Sequence, residues 1–181
     1  MCGIVGILSN NEVTPTILEV LKKLEYRGYD SAGIATIYNN DIKRLRAKGK
    51  IENLLQQIKK TDLPGKIGIG HTRWATHGIP SEDNAHPHHK GSVVGVHNGI
   101  IENFRDIKEE LLLKGYQFHS ETDTEVVIQL CSFFKDEGFN NKDAFVKTIS
   151  RLEGAYASDP TYISFLPKPI TKGAPRLVIN S

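Results

Sequence analysis

The sequence predicts an α+β fold built on antiparallel sheet. Short apolar runs at Cys2–Leu8, Ala32–Tyr38, Ile67–Gly70 and Val93–His97 are bounded by glycine or polar clusters, as buried strands are. Longer stretches carry apolar residues at helical spacing. The strands are joined mostly by hairpins or polar loops, whereas parallel strands need long crossovers. In order, Cys2–Leu8 forms the first strand. Thr14-Pro15 then reads as an N-cap followed by proline at the first helical position. Ile17, Leu18, Leu21 and Leu24 line one face of that helix, and Gly28 ends it. Asn39-Asn40 joins Ala32–Tyr38 to Asp41–Ala47 as a hairpin. Ile51–Lys60 reads as a short helix, and Asn103–Lys114, Thr124–Phe134 and Lys142–Leu152 as amphipathic helices. There is no internal repeat and no low-complexity linker.

A chain of 181 residues is long enough for one domain with a substantial core. Its net charge of +2 gives no argument for nucleic acid or a membrane surface as partner. No apolar run reaches transmembrane length, and no signal-peptide core opens the chain. Two cysteines, Cys2 and Cys131, suggest no disulfide framework, so a reducing, cytoplasmic setting is expected.

Five segments carry candidate chemistry. Cys2 follows the initiator Met1, and a small residue there favours removal of Met1. An N-terminal cysteine brings its own base, because an α-amine titrates at about 7.7–8.0. The other reading of Cys2 is a small buried residue opening a strand. His71–Gly78 follows a strand. There Arg73 is suited to fork onto a carboxylate or to pair a structural aspartate, Trp74 to cover the core, and Thr76 and His77 to donate. Three histidines within four positions, His86, His88 and His89, raise a metal site. Zinc-binding histidines usually sit on separate elements and neither cysteine has ligand spacing, so a polar loop lining a pocket is expected, with no metal and no cofactor. Asn98-Gly99 is a turn signal that also makes a pair of oxyanion donors. In Ser120–Glu125, Asp123 suits either a helix cap or the binding of an ammonium group.

Together these residues make one ligand legible. Arg73 suits an α-carboxylate, Asp123 an α-ammonium, Cys2 an electrophilic carbon, and Asn98 with Gly99 an oxyanion. An amino acid with a side-chain amide matches that set, provided the loops meet in space.

The segments Cys2–Gly6, Tyr26–Gly33, His71–Gly78, Asn84–His88, His97–Asn103 and Glu121–Glu125 stand in one order. In that order the chain resembles the N-terminal glutaminase domain of the glutamine–fructose-6-phosphate aminotransferase family, within the class II glutamine amidotransferases. The resemblance runs from Met1 to about Tyr156. It implies an N-terminal-nucleophile hydrolase fold, an αββα sandwich, and L-glutamine as substrate. It implies Cys2 as nucleophile with its α-amine as base, and an oxyanion hole from Asn98 and Gly99. Arg73, Thr76, His77, Gly99 and Asp123 would hold glutamine, and Trp74 would lie in a loop closing over the site. Ammonia would pass to an isomerase part that binds fructose 6-phosphate, whose domains do not follow here. Residues 158–181 depart from the family as a divergent tail with Pro160, Pro167, Pro169 and Pro175, which disfavour central strands. Residues 1–157 are therefore expected to form a partial glutaminase domain, its sandwich incomplete at the C-terminal end. That end leaves glutaminase activity expected to be weak or absent, and no aminosugar synthesis by the chain alone. A non-catalytic amino-acid-binding module and a decayed, inactive product are the alternatives. A separate isomerase chain is an open partner.

Overall fold

The structure, a computed structural model, describes residues 2–75 and 78–154, and residues 163–167 as a strand. Two antiparallel sheets lie face to face between two helical layers. The first sheet is ordered β1-β4-β2-β3, from β1 (Gly3–Leu8), β4 (Ile67–Arg73), β2 (Ser31–Tyr38) and β3 (Asp41–Lys48). The second is ordered β5-β6-β7, from β5 (His88–Lys90), β6 (Val93–His97) and β7 (Ile163–Pro167). Helices α1 (Thr14–Leu24) and α2 (Ile51–Ile58) accompany the first sheet. Helices α3 (Phe104–Leu113), α4 (Asp123–Asp136) and α5 (Asn141–Ile149) accompany the second.

Side-chain alternation along the strands builds three apolar interfaces. Val5, Ala32 and Ile34 face Ile17, Leu21, Ile51 and Leu54 of the first helical layer. Ala35, Ile37 and Ile69 meet Val94 and Val96 between the sheets. Val93 turns the other way, onto Ile128, Cys131 and Ala144. A separate cluster joins α3 to α4 through Ile107, Leu111, Val126, Val127 and Leu130. This is the expected αββα arrangement, with every strand pair antiparallel.

Several local expectations change. Thr14 is the first helical residue rather than the cap. Val13 occupies the N-cap position, and the Thr14 hydroxyl donates instead to the Leu63 carbonyl at 2.6 Å. That bond ties the helix start to the chain entering β4, which a cap cannot do. Strand β4 runs three residues beyond Gly70, because His71 and Thr72 are paired by β1 on one side and β2 on the other, and Arg73 by Ser31 of β2. His88–Lys90 is a strand rather than a loop. β7 falls within the proline-containing tail, but at a sheet edge with Pro167 at its last position, where a missing N–H is tolerated. The hairpin is as expected: Asn39 and Asn40 take φ of 49° and 63°, the left-handed pair of a tight two-residue turn.

Gly33 marks the closest approach between β2 and the segment leading into β5. A Cβ there would overlap the His86 carbonyl oxygen. Both partners are backbone, so neither can rotate away. Gly33→Ala is expected to destabilise the chain by about 3 kcal/mol, the upper range for overpacking, read as a lower urea midpoint. An unchanged midpoint would contradict this packing.

Candidate active site

Cys2 leads into β1, and β1 is paired to β4, so the thiol lies beside the end of β4. The Trp74 N–H donates to Cys2 Sγ at 3.2 Å. On its other side, Asn98 Nδ2 donates to the Cys2 carbonyl at 2.9 Å. Asn98 directly follows β6, so this one bond joins the ends of the two sheets. Burial raises the thiol pKa, opposed by the Trp74 N–H. Gly99, beside Asn98, has φ of 144° and is exposed.

Arg73, the last residue of β4, is only 3% exposed. Its Nη1 lies 3.7 Å from Asp30 Oδ1 and its Nη2 donates to the Gly78 carbonyl at 3.3 Å. Asp30 gathers the surrounding chain. It accepts from the Ser31 hydroxyl at 2.9 Å and from the Ala75 N–H, and its own N–H donates to the Arg73 carbonyl at 3.1 Å. A Cβ at Gly28 would sit 2.6 Å from the Arg73 carbonyl carbon, so glycine serves this close approach as well as closing the 3₁₀ turn, Glu25–Arg27, that continues α1. Trp74 is 49% exposed and covers no core; its ring meets Tyr29 edge-on at 5.3 Å.

Asp123 opens α4 without capping it. The cap is Thr122, whose hydroxyl accepts from the Glu125 N–H at 3.3 Å, while the Glu125 carboxylate accepts from the Ser120 N–H at 2.6 Å. Glu125 thus ties the chain before the cap rather than the cap's own N–H, which donates to the Ser120 hydroxyl at 3.3 Å, and neither bond uses Asp123. The buried Asp123 carboxylate instead accepts from the Ile101 N–H at 3.0 Å, which anchors the loop carrying Asn98 and Gly99.

The histidines are placed differently from expectation. His86 and His88 are buried and stacked edge-on at 4.9 Å, while His89 is exposed and bonds the Gly91 carbonyl. His86 Nδ1 lies 3.1 Å from His71 Nε2, and His88 Nε2 lies 2.9 Å from the Thr122 hydroxyl. The alternation of β5 turns His88 inward and His89 outward, so the two rings face opposite sides of the strand. Among the described residues no three histidine, cysteine or acidic side chains are grouped to hold a metal ion.

Cys2, Trp74 and Asn98 therefore meet directly, Arg73 joins them through Asp30 and the 73–75 backbone, and Asp123 joins through Ile101. Thr76 and His77 lie outside the described residues. Asp30, Thr72 and His71 were not singled out from sequence. Thr72 accepts from the Gly3 N–H at 3.2 Å. The hint for Asp30 was its place in Arg27-Gly28-Tyr29-Asp30.

A glutamine amidotransferase domain model matches residues 71–159. A solved glutamine phosphoribosylpyrophosphate amidotransferase from B. subtilis superposes with a TM-score of 0.75 at 27% identity, over 93% of this chain and 35% of that one. A glutamine aminotransferase class-II domain protein from Silicibacter pomeroyi shares the fold, with a TM-score of 0.58 at 14% identity over 92% of this chain and 73% of that one. The chain is a class II glutamine amidotransferase domain with the N-terminal-nucleophile hydrolase fold. Within that class it is similar to glutamine–fructose-6-phosphate aminotransferase (isomerizing). The Mesorhizobium japonicum enzyme is 54% identical over 157 residues, and the Gluconobacter oxydans enzyme 54% over 158, each match covering 87% of this chain and 26% of the relative. The chain thus spans about a quarter of the length of these curated relatives. Among the described residues no helix is long and apolar enough to cross a membrane.

Burial pushes the pKa of His71 down to about 3, and it holds His86, His88 and His97 below the ordinary histidine value as well. These rings are neutral when folded and titrate near 6.5 when unfolded. Below about pH 6.5 the unfolded chain binds more protons, so stability is lost as pH falls, by roughly 1 kcal/mol per pH unit for each such ring. Melting temperatures measured from pH 7.5 to 5 are expected to drop steeply below about 6.5. A flat profile would contradict neutral buried rings.

Proposed function

We propose that this chain hydrolyses the side-chain amide of L-glutamine to glutamate and ammonia, with Cys2 as the nucleophile. The observation that carries the reading is the convergence of Cys2, the Trp74 N–H and Asn98 at the joined ends of the two sheets. With Met1 removed, the Cys2 α-amine takes the thiol proton and Sγ attacks the amide carbon. Asn98 Nδ2 and the Gly99 N–H stabilise the resulting oxyanion. Ammonia departs with the proton, and water hydrolyses the thioester to free the thiol. Arg73 holds the α-carboxylate and Asp123 the α-ammonium. Thr76 and His77 add donors to the same pocket, and Trp74 belongs to the loop closing over it. No cofactor enters this chemistry.

Free Cys2 and Cys131 agree with a reducing setting, and the cytoplasm is the proposed location. The relatives' names couple glutamine to fructose 6-phosphate, so the proposed use of the ammonia is amination of that sugar by an isomerase part. Residues 1–157 are proposed as the glutaminase portion and 158–181 as the divergent tail.

Intact mass and labelling with a glutamine-like electrophile test the nucleophile. Loss of Met1 and label on Cys2 are expected; retained Met1, or label on Cys131, would reject it. Arg73→Lys keeps the charge but loses the planar fork, and is expected to weaken glutamine binding by about 1.5–3 kcal/mol. Asp123→Asn keeps an acceptor for the Ile101 N–H but loses the charge, so binding should weaken similarly with little change in melting temperature. Wild-type affinity in both variants would refute the assigned roles.

A further inference from the structure

Arg73 ends a strand of the first sheet and Asp123 opens a helix that accompanies the second. A set of hydrogen bonds spans the gap between them, and Asn84 is its centre. Asn84 is only 3% exposed. Its Nδ2 donates to the Ile79 carbonyl at 2.9 Å and to Glu121 Oε2 at 3.1 Å, while its Oδ1 accepts from the Glu121 N–H at 2.9 Å. Both donors and the oxygen of the carboxamide are thereby engaged. An aspartate here would set a carboxylate oxygen against the Glu121 carboxylate and the Ile79 carbonyl.

Each side of Asn84 is anchored. Its backbone is fixed to the first sheet, because Arg46 of β3 donates through Nη1 to the Asp83 carbonyl at 2.9 Å and the Ala85 carbonyl at 3.1 Å. On the Arg73 side, the Ile79 N–H donates to Glu121 Oε2 at 3.2 Å. Gly78, next to Ile79, holds Arg73 Nη2 through its carbonyl at 3.3 Å. Gly78 takes φ of 74°, and a Cβ there would lie 2.5 Å from Asn84 Nδ2, so the two segments are in close contact. On the other side, Glu121 stands two residues before Asp123. None of these bonds involves Cys2 or Asn98.

We propose that Asn84 and Glu121 are a positioning pair that fixes the spacing of Arg73 and Asp123, so that the site selects ligands carrying both an α-carboxylate and an α-ammonium. The inference rests on the reading of Arg73 and Asp123 as the groups that hold glutamine. With the link cut, Arg73 keeps Asp30 and Asp123 keeps the Ile101 N–H. Each group stays in place on its own element, but their separation is no longer held. Binding must then order them, which costs affinity. The bonds around Cys2 are separate, so the loss falls on KM and leaves kcat nearly unchanged.

Kinetics and binding on the full chain test this. Asn84→Ala and Glu121→Ala should each raise KM for L-glutamine about tenfold. Glu121 is exposed, so its variant tests the link even where Asn84→Ala melts early. Asn84→Asp should be at least as damaging as Asn84→Ala. Adding Glu121→Gln to Asn84→Asp places an amide donor opposite the new carboxylate and should recover most of the loss. Decarboxylated glutamine, which lacks one of the two end groups, should bind wild type and Asn84→Ala equally. Unchanged KM in both alanine variants, equal weakening of both ligands, or a fall in kcat without a rise in KM overturns the positioning role. A wild type that binds glutamine without hydrolysing it refutes the glutaminase reading alone, and the same ratios of dissociation constants then decide the positioning role. A wild type that does not bind glutamine overturns both.

Discussion

Arg73 is a cation at the inner end of a central strand, and a buried cation is costly unless it is paired. Asp30 meets that need and does more. Its carboxylate also holds the Ser31 hydroxyl and the Ala75 N–H, and its backbone N–H holds the Arg73 carbonyl. The turn before β2, the end of β4 and the start of the next loop are thereby one unit. Trp74 lies inside that unit, so its N–H is aimed at Cys2 by bonds made elsewhere. Removing one member of such a buried pair typically costs about 3–5 kcal/mol, and here it would also release the loop beside the thiol.

The site draws on both halves of the chain. Cys2, Asp30 and Arg73 come with the first sheet, while Asn98 and Asp123 come with the second sheet and its helix. Their mutual geometry depends on how the sheets register across Ala35, Ile69, Val94 and Val96. Among the described residues, small and β-branched side chains form this inner layer. The Thr122–Glu125 cap serves the same end by relieving Asp123 of the capping role.

Much of the architecture was legible in the sequence because it rests on local rules. The Asn39-Asn40 turn, the apolar faces of α1, α3 and α4, and the antiparallel pairing followed from periodicity and turn chemistry. The convergence of Cys2 with Trp74 and Asn98 needed the resemblance, since no local pattern brings positions 2, 74 and 98 together. The His71–Arg73 extension of β4 was hidden because polar residues there are buried by strand pairing, His71 and Thr72 on both sides and Arg73 on one. Asp30 was hidden for a related reason: an aspartate after Gly-Tyr reads as a turn residue, and its many partners are distant in sequence. His86 and His88 were read as part of a polar loop lining a pocket because their buried partners, the His71 ring and the Thr122 hydroxyl, are distant in sequence.

The state of the Cys2 sulfur has a consequence for its chemical lifetime. Burial holds the thiol above its ordinary pKa, so at neutral pH the resting sulfur carries little thiolate. Peroxides and disulfides react with the thiolate form. A sulfur that stays protonated until a partner draws off its proton is therefore shielded from climbing to sulfenic and sulfinic acids. On the proposed glutaminase reading, the burial that keeps the proton on the resting thiol also guards the sulfur against irreversible oxidation.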